Sequence, residues 1–111
     1  MRRLSERVLT PYEAFALLGD EDSVEVLDVR SAAERGVGGI TVKGSLPLPL
    51  DDLLSGACAP PPSNIPAVLV CAQGTQSLRA LDYLAQACPR AVCVEGGAAA
   101  WREFKLPIEP V

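Results

Sequence analysis

Short apolar runs alternate along the chain with stretches in which apolar residues recur at helical spacing. Val24-Glu25-Val26-Leu27-Asp28-Val29 is brief and rich in β-branched residues, which predicts a strand. Ala67-Val68-Leu69-Val70 has no polar interruption, the pattern of a strand covered on both faces. Ala91 to Val94 is a similar run, and Val8-Leu9 predicts a short edge strand. Thr10-Pro11-Tyr12-Glu13 reads as a helix start, with Thr as N-cap, Pro in the first helical position and Glu reaching back to the cap. Tyr12, Phe15 and Leu18 continue that helix to Gly19-Asp20. Ser31 caps a brief helix through Arg35, ended by glycines at 36, 38 and 39. Ser45 to Leu50 reads as extended, and Asp51 to Leu54 as one helical turn. From about Ser77, Leu78, Leu81, Leu84 or Ala85, and Cys88 mark one helix face, closed by Pro89. Ala98 to Lys105 forms a last helix after the Gly96-Gly97 turn, with Trp101 and Phe104 read as core.

Strands alternating with helices imply an α/β fold: a mostly parallel central sheet of about five short strands, covered by helices on both faces. The 111 residues suit a single domain over 1–111, large enough to hold a core without disulfide staples. The Pro-rich tract from Ser55 to Pro66 reads as a surface connection rather than a linker.

A net charge of −4, with scattered basic residues, argues against a nucleic-acid partner, whose phosphates call for clustered Lys and Arg. Arg2-Arg3 is followed by Leu4-Ser5-Glu6-Arg7 rather than an apolar run, and no segment has the length of a membrane span. The expectation is a cytoplasmic protein with no membrane partner.

Histidine is absent, which removes Cys–His and Ser–His–Asp catalysis and every His-ligated metal site. The four cysteines, Cys58, Cys71, Cys88 and Cys93, form no C-x-x-C pair, so neither a metal nor another cofactor is expected. Cys88 and Cys93 fall in apolar contexts and read as core, while Cys58 lies beside the Pro-rich tract and is the only candidate resolving thiol.

Cys71 differs, because it ends a buried strand, and in open α/β sheets ligands bind beyond the carboxyl ends of the strands. The residues that follow, Ala72-Gln73-Gly74-Thr75-Gln76-Ser77, predict a curled loop leading into a helix, with Gly74 permitting the tight curl. Such a loop aims backbone N–H groups and a helix N-terminus at one point. The anion at that point would be the Cys71 thiolate. Lowering an ordinary thiol pKa by ~2 units takes about 2.7 kcal/mol. A helix N-terminus supplies roughly 0.3–1 kcal/mol, reaching ~2 in favourable sites, so converging amides must supply the rest.

These pieces together resemble the rhodanese family of sulfurtransferases. The resemblance rests on Leu9-Thr10-Pro11, Leu27-Asp28-Val29-Arg30 with Glu34, Lys43-Gly44-Ser45 before Leu48-Pro49-Leu50, and the Cys71–Ser77 loop. Gly96-Gly97, Ala100-Trp101 and Leu106-Pro107 complete it, so it spans most of the chain. It implies a three-layer domain in which Cys71 accepts sulfur from thiosulfate or a persulfide donor. A Cys71 persulfide would then pass the sulfur to cyanide or to a small-molecule or protein thiol. It also implies that Asp28 orders the neighbourhood and that Arg30 lies near the pocket, with Arg30 or Arg79 steering an anionic donor.

The bland reading of Arg30 is a surface ion pair with a carboxylate such as Glu34. Two departures from the family pattern stand out. No Arg or Lys occupies positions 72–76, and the common Gly-His-Ile segment reads Gly38-Gly39-Ile40. The neutral loop supports an alternative, a non-catalytic rhodanese-like binding or sulfur-carrier module. A Cys-x5-Arg phosphatase is disfavoured because Ser77 stands where the phosphate-clamping Arg would be.

Overall fold

A computed structural model describes residues 7–20, 24–57, 65–72, 75–84 and 88–111. In chain order the elements are β1 (Val8–Leu9), α1 (Pro11–Asp20), β2 (Glu25–Asp28), α2 (Ala32–Gly38), β3 (Ile40–Val42) and β4 (Leu46–Pro47). They continue with α3 (Leu50–Ser55), β5 (Ala67–Val70), α4 (Thr75–Leu84), β6 (Ala91–Val94), α5 (Gly97–Glu103) and β7 (Ile108–Pro110). Five strands form one sheet in the order β1-β6-β5-β2-β4, and every pairing in it is parallel. The expected α/β architecture is therefore the observed one.

The register explains which apolar residue faces which layer. Val26 pairs with Val68 and Val68 with Val92, while Leu27 pairs with Leu69 and Leu69 with Cys93. Successive side chains on a strand point to opposite faces. The valine row packs with Ala14 of α1 and Ala98 and Trp101 of α5. The Leu27–Leu69–Cys93 row packs with Leu50 and Leu53 of α3 and Ala80, Leu81 and Leu84 of α4. Cys71 belongs to this second layer. All four residues of β5 and of β6 are buried, as strands flanked on both edges and both faces must be.

Local signals set the helix starts. Thr10 and Glu13 exchange hydrogen bonds, Glu13 N donating to Thr10 Oγ1 at 3.2 Å and Thr10 N to Glu13 Oε1 at 2.9 Å. Ser31 and Glu34 repeat this capping box at α2. The helix runs past Arg35 to Gly38 and ends on Gly39 in the left-handed conformation, φ 75°. The glycines therefore close this helix one turn later than their spacing suggests.

Other sequence expectations need correction. α4 begins at Thr75 rather than near Ser77, and α5 spans Gly97–Glu103 rather than 98–105. Leu78 is 43% exposed and Phe104 39% exposed, so neither is core. Phe104 instead stacks on Tyr12 with ring centroids 5.0 Å apart. A second, two-stranded sheet pairs β3 with β7 antiparallel, Thr41 opposite Glu109. Neither strand was expected from the sequence.

Candidate functional site

The carboxyl ends of β2 and β5 lie side by side, with Asp28 paired to Val70, and the chain leaves β5 into Cys71. Two contacts from α5 hold that exit. Ala98 N–H donates to the Cys71 carbonyl at 2.7 Å and Ala99 N–H to the Ala72 carbonyl at 3.1 Å. These are amides of the first helical turn, which have no intrahelical acceptor of their own. The approach is possible only because residue 97 is glycine. Its φ is +63°, and a Cβ there would collide with the Cys71 carbonyl oxygen and come within 2.9 Å of the Ala72 carbonyl carbon.

The Cys71 side chain is enclosed, with the residue 1% exposed. Its thiol donates to Ser77 Oγ at 3.4 Å, and Ser77 is 0% exposed. Ser77 lies in the first turn of α4, so the amino-terminal end of that ten-residue helix is set against the sulfur. Cys93, on the neighbouring strand β6, is buried in the same layer as Cys71. Burial pushes the Cys93 thiol up to about 11, the charge of Cys71 adds to the shift, and the Ser77 hydrogen bond opposes it. Burial, and secondarily the charge of Glu25, push Cys88 upward as well. Both read as core from the sequence, and both are buried. Cys58, the candidate resolving thiol, lies outside the described residues, as do Gln73 and Gly74 of the loop.

The flanks of the loop are described. Ala72 is exposed and Thr75 opens α4. Gln76 reaches across to α2, its Nε2 donating to Glu34 Oε2 at 2.9 Å and Oε1 at 3.2 Å. The Glu34 carboxyl is held below its ordinary range, first by the Ser31 backbone amide, then by Gln76 and the Ser31 hydroxyl. Glu34 thus serves twice, capping α2 and tethering the first turn of α4.

Asp28 and Arg30, both pocket candidates, form a buried unit at the end of β2. Asp28 is 0% and Arg30 2% exposed. Arg30 Nη2 donates to Asp28 Oδ2 at 2.7 Å and to the Ile40 carbonyl at 2.8 Å, while Nε donates to Oδ1 at 3.0 Å. Thr41 Oγ1 donates to Oδ2 at 2.8 Å, and Arg35 Nε stands 3.4 Å from the same oxygen. Burial alone would push the Asp28 carboxyl up. The bonds from the Arg30 side chain and amide, the Thr41 hydroxyl and the Arg30 charge together hold it below its ordinary value. The Arg30 partner is therefore Asp28, not Glu34. Arg79 is exposed on α4.

Sequence reasoning did not find three contributors: the α5 amides with Gly97, the Glu34–Gln76 tether, and Cys93. Gly96-Gly97 was visible as a turn, and its double glycine was a signal of close backbone approach. Among the described residues, no cluster of His, Cys, Asp and Glu could hold a metal ion, and no helix is long and apolar enough to cross a membrane.

The rhodanese-like domain family model matches residues 10–104. No curated protein matches the chain. Among solved structures, the chain is similar to a rhodanese-related protein from Thermoplasma volcanium, with a TM-score of 0.74 and 25% identity over 93% of this chain and 97% of that one. It is similar to a Rhodopseudomonas palustris protein of unknown function described as a possible tyrosine phosphatase, with a TM-score of 0.78 and 27% identity over 96% and 90% of the two chains. It is also similar to a rhodanese-like domain protein from Staphylococcus aureus, with a TM-score of 0.69 and 28% identity over 86% and 90%. With the parallel sheet, the strand-end cysteine and a family match that covers nearly its whole length, the chain belongs to the rhodanese-like domain family.

Proposed function

We propose that this protein is a sulfurtransferase that carries sulfane sulfur on Cys71. The observation that carries the reading is the setting of Cys71 at a strand end. Its carbonyl is clamped by α5, and its sulfur lies on a hydroxyl in the first turn of α4. Membership of the rhodanese-like family supports it.

In the first half-reaction the Cys71 thiolate attacks the outer sulfur of thiosulfate or of a persulfide donor. The donor's S–S bond breaks with its electron pair leaving on sulfite, or on the donor thiolate, and Cys71 becomes a persulfide. In the second, an acceptor thiolate or cyanide attacks the terminal sulfur, and the electrons of the broken S–S bond return to Cys71 as thiolate. The first turn of α4 and its Ser77 hydroxyl stand against the reacting sulfur. The loop from Ala72 to Ser77 binds the donor in this reading. Asp28 and Arg30 brace the wall of the pocket, their charges spent on each other and on Ile40, and exposed Arg79 attracts the anionic donor. No cofactor takes part.

Incubation with thiosulfate followed by intact mass measurement tests this. The wild-type protein gains one sulfur atom and Cys71→Ser gains none. A wild-type protein that gains no sulfur from thiosulfate, mercaptopyruvate or glutathione persulfide overturns it.

The 1% exposure of Cys71 favours a second reading, a non-catalytic rhodanese-like module that binds a partner. It predicts no sulfur gain from any donor. Phosphoryl transfer, suggested by the description of the Rhodopseudomonas relative, lacks its guanidinium clamp here, since Ser77 is buried against Cys71.

A further inference from the structure

A carboxylate is pinned to the loop that follows Cys71. Glu34 Oε1 accepts from the Ser31 amide at 3.0 Å, and Gln76 Nε2 donates to Glu34 Oε2 at 2.9 Å and to Oε1 at 3.2 Å. An amide occupies the lone pairs of a carboxylate but brings no positive charge. Positions 72–76 read Ala-Gln-Gly-Thr-Gln, so the loop itself supplies none. Of the influences that keep the Glu34 carboxyl ionised, the charge of Arg30 is the smallest.

The register explains why nearby cations do not answer it. Asp28 pairs with Val70, so the two share the valine face of the sheet, whereas Cys71, one residue on, packs in the opposite layer. Arg30 Nη2 bonds to Asp28 at 2.7 Å and to the Ile40 carbonyl at 2.8 Å, and Ile40 packs on that same valine layer. Arg35 Nε stands 3.4 Å from Asp28 Oδ2. Both guanidiniums are thus turned onto Asp28. Glu34 is tied instead to α4, the helix that covers the layer of Cys71. Arg79 is exposed on α4, where solvent screens it.

We infer that Glu34 sets donor selectivity, favouring a persulfide on an uncharged carrier over thiosulfate. The inference rests on the proposed sulfur transfer and names its donor class. With thiosulfate, the Cys71 thiolate takes the outer sulfur, and the S–S electron pair leaves on sulfite, so a dianion must approach a thiolate beside a carboxylate. With a persulfide RSSH, the same attack expels RS⁻ and the terminal sulfur keeps its proton or its single charge. The reacting group therefore brings at most one negative charge. Gln76 directly precedes Ser77, whose Oγ is 3.4 Å from the Cys71 sulfur. That chain of contacts puts the Glu34 charge on the order of 10 Å from the reaction, about one screening length in 0.1 M salt. Repulsion at that range slows the wrong donor without blocking it, so thiosulfate still loads Cys71 given time.

The experiment times sulfur loading on Cys71 by intact mass, using thiosulfate and the persulfide of 2-mercaptoethanol. It compares wild type, Glu34→Gln and Gln76→Lys, each first shown folded by its urea melt. Gln at 34 keeps an acceptor for the Ser31 amide and for Gln76 and removes only the charge. Lys at 76 leaves Glu34 in place and pairs it. In either variant the rate constant for thiosulfate rises about three- to tenfold, and that for the persulfide by about the square root of this factor, because repulsion scales with donor charge. Raising salt from about 0.01 to about 1 M shortens the screening length from ~30 to ~3 Å and removes most of the difference between wild type and Glu34→Gln. Folded variants that keep the wild-type ratio of the two rates, or that shift both donors equally, overturn the selectivity and leave sulfur transfer standing. A wild-type protein that loads sulfur from no donor overturns both.

Discussion

Gly97 lies against the Cys71 carbonyl so closely that no side chain fits between them. Two elements distant in sequence, the end of β5 and the start of α5, thereby become one rigid corner. Gly97→Ala must either twist out of φ +63° or push the strand exit away. The left-handed conformation costs an L-residue roughly 1–2 kcal/mol. With the collision, the expected loss of stability is about 2–4 kcal/mol in urea unfolding, accompanied by loss of sulfur loading on Cys71. Gly36→Ala, in α2 with nothing within 4 Å of the added carbon, is the control and should be neutral or stabilising by up to about 1 kcal/mol.

Asp28→Asn leaves the Arg30 guanidinium buried without its counter-charge. Breaking one partner of such a pair typically costs about 3–5 kcal/mol. The expected outcome is a large fall in the denaturation midpoint, with the Arg30–Ile40 bond too weak to compensate.

Acid titration reads the same carboxylate. Its folded pKa lies below the unfolded value of 3.8. Its contribution is therefore complete above the unfolded value and disappears as pH falls through the lower, folded one. Wild type should lose stability below about pH 4, and Asp28→Asn should show a flatter acid limb in the same melts.

Gln76→Ala severs the tether between α4 and α2 without opening the core. Because the Glu34 contact is exposed, stability should change by no more than about 0.5–1 kcal/mol. The rate of sulfur loading should fall several-fold, since the first turn of α4 carries Ser77. Unchanged kinetics in a folded Gln76→Ala protein would remove the tether from the site.

Trp101→Phe tests the seam between α5 and the segment leading into β7. The indole Nε1–H donates to the Pro107 carbonyl at 2.7 Å, and the ring is 1% exposed. Loss of that bond and of ring volume should cost about 1–3 kcal/mol by circular-dichroism melts.

Much of the architecture was legible in the linear pattern because the strongest signals are local. The apolar runs of β5 and β6 can be satisfied only by burial on both faces, and the Thr10–Glu13 and Ser31–Glu34 pairs cap their helices within one turn. Periodicity did not say how wide each buried stripe is. Leu78 keeps helical spacing with Leu81 yet falls at its solvent edge, and Phe104 finds Tyr12 rather than the core. The β3–β7 pair was invisible, since three-residue segments carry too little pattern and Pro110 argues against a strand.

What the order of residues determined alone was an α/β chain with a cysteine at the end of a buried strand, since both follow from local patterning. Tertiary structure decided the partners: Asp28 for Arg30, Gln76 for Glu34, Gly97 for the Cys71 carbonyl, and Cys93 in the same buried layer as Cys71. All but the first of these pairs join residues far apart in the chain. Such contacts depend on strand register and helix placement, which the packing of the whole sheet sets together and no local window contains.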